Sequence, residues 1–193
     1  MSSLFNADNK MRPLAERMRP RQFSEMVGQS RLLARDAVFR TAIEAGHIHS
    51  MILWGPPGCG KTTLALLIAQ YAKARYISIS AVMSGLPDVR KVLVEAEQFF
   101  QNSEKTVLFV DEVHRFNKIQ QDAFLPYIET GSIIFIGATT ENPSFELNSA
   151  LLSRCRVHVL ENVSNADIVL AMKAALSHAT LGLTTPVTIS DLQ

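Results

Sequence analysis

A chain of 193 residues, 47% hydrophobic and 19% charged, is long enough for one α/β core with a small appendage and too apolar for wholesale disorder. Its net charge of +1 provides no general basic surplus, so any nucleic-acid contact must rest on a local patch. No run approaches the roughly 18 to 20 apolar residues of a membrane span, no signal-type apolar region opens the chain, and two cysteines, Cys59 and Cys155, frame neither a disulfide scaffold nor a zinc site, so the chain reads as cytoplasmic.

In chain order, residues 1–11 read as a polar, disordered terminus. A basic arm follows, with Lys10, Arg12, Arg17, Arg19 and Arg21 against Glu16, and Pro13 and Pro20 prevent one continuous helix. The arm suits either a phosphate lining or a solvated surface. Residues 30–45 carry helical spacing through Leu32, Leu33, Val38 and Ile43, with Gly46 as the stop. Strands are expected at 51–54, 76–79, 106–110, 133–136 and 156–160. Helices are expected between them at 64–71, 88–100, 117–128 with Pro126 as a kink or stop, and 147–152. Residues 165–178 read as a further helix, and Ser190 opens another.

Alternation of short apolar strands with helices predicts a parallel sheet with helices on both faces. The reading is an α/β nucleotide-binding domain over 12–162, and at 163–193 the beginning of a helical lid subdomain that continues beyond the sequence. In a parallel sheet the loops after the strands gather at one edge, so three distant stretches should face one ligand.

The first of these stretches is Gly55, Pro56, Pro57, Gly58, Cys59, Gly60, Lys61, Thr62 and Thr63, which fits G-x-x-x-x-G-K-T between a strand and a helix. Its glycines let successive N–H groups turn toward one point, and the following helix adds its positive end, which makes a cradle for nucleotide phosphates. Lys61 is expected at the β- and γ-phosphates and the Thr62 hydroxyl on Mg2+. The second stretch ends the strand at 106–110 with Asp111, a hard-oxygen ligand for Mg2+, and Glu112, positioned to polarise the attacking water. The third is Thr139, Thr140, Glu141 and Asn142, from which Thr140 is expected to sense the γ-phosphate and the water. On a separate loop, Arg154 suits an arginine finger acting across a subunit boundary if the chain forms rings. His47 and His49 lack a third metal ligand, neither cysteine has an evident base, and Trp54 reads as core.

Gly55 to Thr63, the Phe-Val-Asp-Glu-Val-His-Arg-Phe-Asn-Lys stretch at 109–118, the Ile-Gly-Ala-Thr-Thr-Glu-Asn-Pro-Ser-Phe-Glu-Leu-Asn stretch at 136–148 and Leu-Leu-Ser-Arg-Cys at 151–155 together resemble AAA+ ATPases of the clamp-loader clade. More narrowly they resemble the bacterial branch related to the Werner-helicase-interacting ATPase. The resemblance covers about residues 12–160 and implies a P-loop AAA+ core with a five-stranded parallel sheet. It implies a DNA-dependent ATPase of stalled forks, single-strand gaps and duplex ends, working as a homo-oligomer, a tetramer in the full-length protein, alongside replication proteins such as single-strand-binding protein. It also implies that the Arg-Pro-Arg-Gln-Phe stretch from Arg19 to Phe23 and Val27, Gly28 and Gln29 line the adenine, that Arg154 acts on a neighbour's nucleotide, and that a lid arginine and an oligomerisation domain lie beyond Gln193. Alternatives are a clamp-loader-like interaction subunit, a Holliday-junction branch-migration motor sharing the Gly-Ala-Thr-Thr element, and a two-lobed helicase suggested by Asp111 to His114. The last needs a second full α/β lobe, for which too little chain remains.

Overall fold

The computed structural model describes residues 12–177. The expectations for residues 1–11 and for a helix opening at Ser190 lie outside them.

All five expected strands form: β1 Met51–Trp54, β2 Arg75–Ser80, β3 Thr106–Asp111, β4 Ile134–Thr139 and β5 Arg156–Val159. They pair in parallel in the order β2-β3-β4-β1-β5. The three central strands are continuous apolar runs buried nearly throughout, as expected of strands covered on both faces. The edge strand β5 leaves Val157 and Val159 exposed. Ser50 pins the entry of β1 between its neighbours: its hydroxyl accepts from the Phe135 amide at 2.9 Å, and its carbonyl accepts from Arg156 at 3.1 Å.

Helices α1 Leu14–Arg17, α2 Ser30–Leu33, α3 Val38–Glu44, α4 Lys61–Tyr71, α5 Leu86–Gln101, α6 Lys118–Asp122, α7 Leu125–Glu129, α8 Pro143–Glu146, α9 Ser149–Leu152 and α10 Asn165–Ser177 complete the elements, with 3-10 turns at Phe23–Glu25 and Val113–Arg115. Val89, Leu93 and Ala96 of α5 pack into a core with Leu108, Val110, Phe116, Phe124 and Phe135. Each fully buried large apolar side chain there contributes roughly 1.5 to 3 kcal/mol.

Two helical expectations are corrected. The single helix over 30–45 is broken at Ala34, which takes φ −52° and ψ 148°. Arg40 donates to the Leu33 carbonyl at 3.1 Å, satisfying a group that the break removes from a helical ladder. The helix over 117–128 is also two pieces. Asn117 and Gln120 cap α6 reciprocally, and Pro126 lies in the first turn of α7, where its missing N–H costs nothing, so it begins a helix and does not end one.

The chain divides into two compact units. One runs Gln29–Asn162 and contains the sheet; the other joins residues up to Gly28 with those from Val163. Within the latter, Ser164 accepts from the Asp167 amide at 3.1 Å and caps α10.

Candidate functional site

At the C-terminal end of β1 the backbone has no room for a side chain. A Cβ on Gly55 would lie 2.5 Å from the Leu160 carbonyl oxygen and 3.1 Å from Cys59 Sγ. The Gly55 amide donates to the Thr139 carbonyl at 3.2 Å, which ties the loop to the end of β4. Gly58 (φ +76°) and Gly60 (φ +97°) then take left-handed conformations that close the loop onto α4. A Cβ on Gly58 would meet nothing within 4 Å, so the space over this turn is open. Helix α4 starts after Gly60 with no side-chain cap, which leaves its first N–H groups and positive end for an anion.

Lys61 is buried, 7% exposed, and its ammonium donates to the Gly55 carbonyl at 2.7 Å and the Pro56 carbonyl at 2.9 Å. Thr62 is exposed, Thr63 half-buried, and Pro57 and Gly58 exposed. A loop with open space above Gly58, a buried ammonium and an exposed hydroxyl at the helix start fits the polyphosphate of ATP with its Mg2+. Thr62 and the half-buried Asp111, which ends β3, are the hard-oxygen groups that would hold the ion.

The strand order decides what surrounds Glu112. Because β4 lies between β1 and β3, the end of β4 separates the phosphate loop from the acidic pair. Glu112 follows β3 in the left-handed conformation (φ +50°, ψ 48°), a strain of roughly 1 to 3 kcal/mol that its surroundings sustain. Thr140 donates its hydroxyl to Glu112 Oε2 at 3.4 Å. His114 Nδ1 lies 3.2 Å from the same oxygen and 2.9 Å from Thr139 Oγ1.

Glu112 and Thr140 are therefore brought together, as are Lys61 and the loop carbonyls. Arg154 goes elsewhere: its guanidinium bonds to Glu129, to the Ala150 carbonyl at 2.8 Å and to Ser153 Oγ at 3.1 Å. Val27 and Gly28 belong to the unit that includes α10, and a Cβ on Gly28 would lie 3.7 Å from the Asp167 carboxylate.

Gln29, in the sheet unit, has a structural job that its spacing does not signal. Buried and left-handed (φ 57°), it donates from Nε2 to the Glu161 carbonyl at 2.7 Å and to the Cys59 carbonyl at 3.3 Å, and accepts from the Glu161 amide at 3.0 Å. It braces the phosphate loop against the chain leaving β5. His114 and Glu129 were also missed. The Asp-Glu-x-His spacing was the available signal for His114; nothing local marks Glu129.

Burial pushes the Cys155 thiol up to about 12, against the opposing pull of Arg154, so it stays protonated and is no nucleophile. Burial, with His49 and Arg156 adding, lowers His158 to about 4, and burial with Arg156 lowers His49. Among the described residues no group of three or more His, Cys, Asp or Glu is placed to hold a metal, and no helix is long and apolar enough to cross a membrane.

The family described as "ATPase family associated with various cellular activities (AAA)" matches residues 51–163. The chain is 58% identical over 180 residues to Replication-associated recombination protein A of Escherichia coli (strain K12), covering 93% of this chain and 40% of that protein. It is 48% identical over 164 residues to ATPase WRNIP1 of Dictyostelium discoideum, covering 85% of this chain and 19% of that one. The Thermotoga maritima RuvB Holliday junction branch migration motor, a solved structure, superposes with a TM-score of 0.66 at 30% identity over 83% of this chain and 54% of its own. The chain thus spans about two fifths of the length of the bacterial recombination proteins it matches.

Proposed function

Since this chain belongs to the AAA family of ATPases, we propose that it binds ATP with Mg2+ at Gly55–Thr63 and hydrolyses it in the service of DNA replication and recombination, in the cytoplasm. On this reading residues 12–162 are the nucleotide-binding body, and a helical lid begins at 163. The observation that carries the proposal is the convergence of a phosphate loop holding a buried lysine with a strand-end glutamate tied to a strand-end threonine.

Lys61 would exchange its contacts with the Gly55 and Pro56 carbonyls for phosphate oxygens, which compensates a buried ammonium more fully. Thr62 and Asp111 would hold Mg2+, which would supply neutralisation of the phosphate charge. Glu112 polarises the water, and Thr140, hydrogen-bonded to it, reports the γ-phosphate to that carboxylate. Arg154 completes the site of a neighbouring copy in a homo-oligomer, a tetramer in the full-length protein.

The DNA is of the gapped, duplex-end or stalled-fork kind, with single-strand-binding protein as a candidate partner. The 58% identity to the recombination protein supports this over a branch-migration motor, whose solved example is 30% identical.

The test is ATP turnover per chain across a protein concentration series, with and without gapped duplex DNA and with a four-way junction as comparison. A rate that rises with concentration and with gapped DNA is expected. Stimulation by the four-way junction alone would favour the branch-migration reading, and an absence of ATP binding would overturn both.

A further inference from the structure

We infer that His114 is a positioning residue for Glu112, and that it carries its imidazole proton on Nδ1 so that the end of β4 holds the carboxylate by two arms. The inference rests on the ATPase reading for its catalytic meaning, but its structural content stands on two hydrogen bonds and one close polar contact.

Thr140 forms the direct arm, donating to Glu112 Oε2 at 3.4 Å. The second arm runs from Thr139 through His114 to the same oxygen, with Nδ1 at 2.9 Å from Thr139 Oγ1 and 3.2 Å from Glu112 Oε2. An ionised carboxylate accepts and cannot donate, so a contact with Nδ1 is favourable only if that nitrogen bears hydrogen. Thr139 Oγ1 has another outlet for its own proton, the Glu141 carbonyl at 3.2 Å, and accepts from the Glu141 amide at 3.0 Å. Its remaining lone pair is an acceptor for Nδ1–H. One assignment is favourable at both oxygens: Nδ1–H donated to Thr139 Oγ1 at 2.9 Å, with the positive edge of the same N–H 3.2 Å from Glu112 Oε2.

The burial pattern supports a fixed device. The His114 side chain is only 7% exposed, while that of Glu112 is 32% exposed, so the ring is packed and the carboxylate is the part left accessible. His114 also starts from a favourable place, because the 3-10 turn Val113–Arg115 begins at the left-handed Glu112 and folds the ring back toward the acid. The consequence is that a shift at the end of β4 moves Glu112 through both threonines, one of them using the imidazole as its lever.

The discriminating set is His114→Asn, His114→Gln and His114→Ala in the full chain, together with nitrogen-15 spectra of the imidazoles. Asn places an amide nitrogen where Nδ1 stands; Gln places one nearer Nε2. We expect His114→Asn to lower kcat less than about threefold, and His114→Gln and His114→Ala to lower it about 10- to 100-fold, with KM and ATP affinity within about twofold for all three. In the wild-type spectrum His114 should show the Nδ1–H form and should lose it in Glu112→Ala. Equal activity of the Asn and Gln variants, or a wild-type Nε2–H ring, would overturn the inference. If wild-type chain binds ATP without turnover, the catalytic reading fails, and the spectra still decide where the proton sits.

Discussion

Arg154 reaches Glu129 with both Nε and Nη2 on a single carboxylate oxygen, Oε1, the Nε contact being 2.7 Å. The side chains are 35% and 52% exposed, so the pair contributes at most about 1 kcal/mol. That is weak enough for a more highly charged phosphate to displace the carboxylate. Glu129 thus holds, within its own chain, the arginine proposed to act on a neighbour's nucleotide.

If Arg154 acts in trans, Arg154→Ala should lower turnover by roughly 10³ or more where chains associate and leave ATP affinity unchanged. Glu129→Gln should preserve or raise that turnover. Rates measured across a dilution series check both, and an equal loss in Arg154→Ala at concentrations where the chain is monomeric would place the residue's action within its own subunit.

Lys61→Ala removes the buried ammonium from the loop and should weaken ATP binding at least about tenfold in an equilibrium titration. Glu112→Gln keeps the shape and still accepts from Thr140, so binding should persist while turnover falls about 10² to 10⁴-fold. Turnover surviving in the Gln variant would point to another base.

Gln29→Ala leaves the Cys59 carbonyl and both backbone groups of Glu161 without their partner. The expected cost is about 1 to 3 kcal/mol, a fall of roughly 2 to 12 °C in Tm, with weaker ATP binding because the loop loses its brace. Gln29→Gly relieves the left-handed backbone yet loses the same bonds. Calorimetry with and without nucleotide should therefore find Gly the more stable of the two and both weak in binding.

His158 sets an acid limit. Its folded pKa of about 4 lies below the usual 6.5, so the unfolded chain binds more protons between those values. This contribution is complete above about pH 6.5 and is lost as pH falls toward 4. Allowing for solvent screening of a half-buried group, it amounts to about 1 to 2 kcal/mol. His158→Phe, which can keep the edge contact with Phe39, should flatten that slope in denaturant titrations at pH 7.5 and 5. An unchanged slope would assign the acid sensitivity to other groups.

The phosphate loop, the five strands and the acidic pair at the end of β3 were legible in the sequence because each rests on neighbours in the chain: glycine spacing, a continuous apolar run, a carboxylate directly after it. The broken helices at Ala34 and around Pro126 were less so, since the Arg40 bond to Leu33 and the reciprocal cap on α6 compete with a periodicity that alone favours one helix. Beyond reach were the pairings that only the fold makes. Nothing local indicates that β4 inserts between β1 and β3, that Gln29 meets Glu161 from 132 residues away, that Thr140 reaches Glu112 across 28, or that Arg154 turns to Glu129 across 25. Those contacts are set by strand order and register, and a hydrogen bond between distant side chains leaves no periodicity in the sequence.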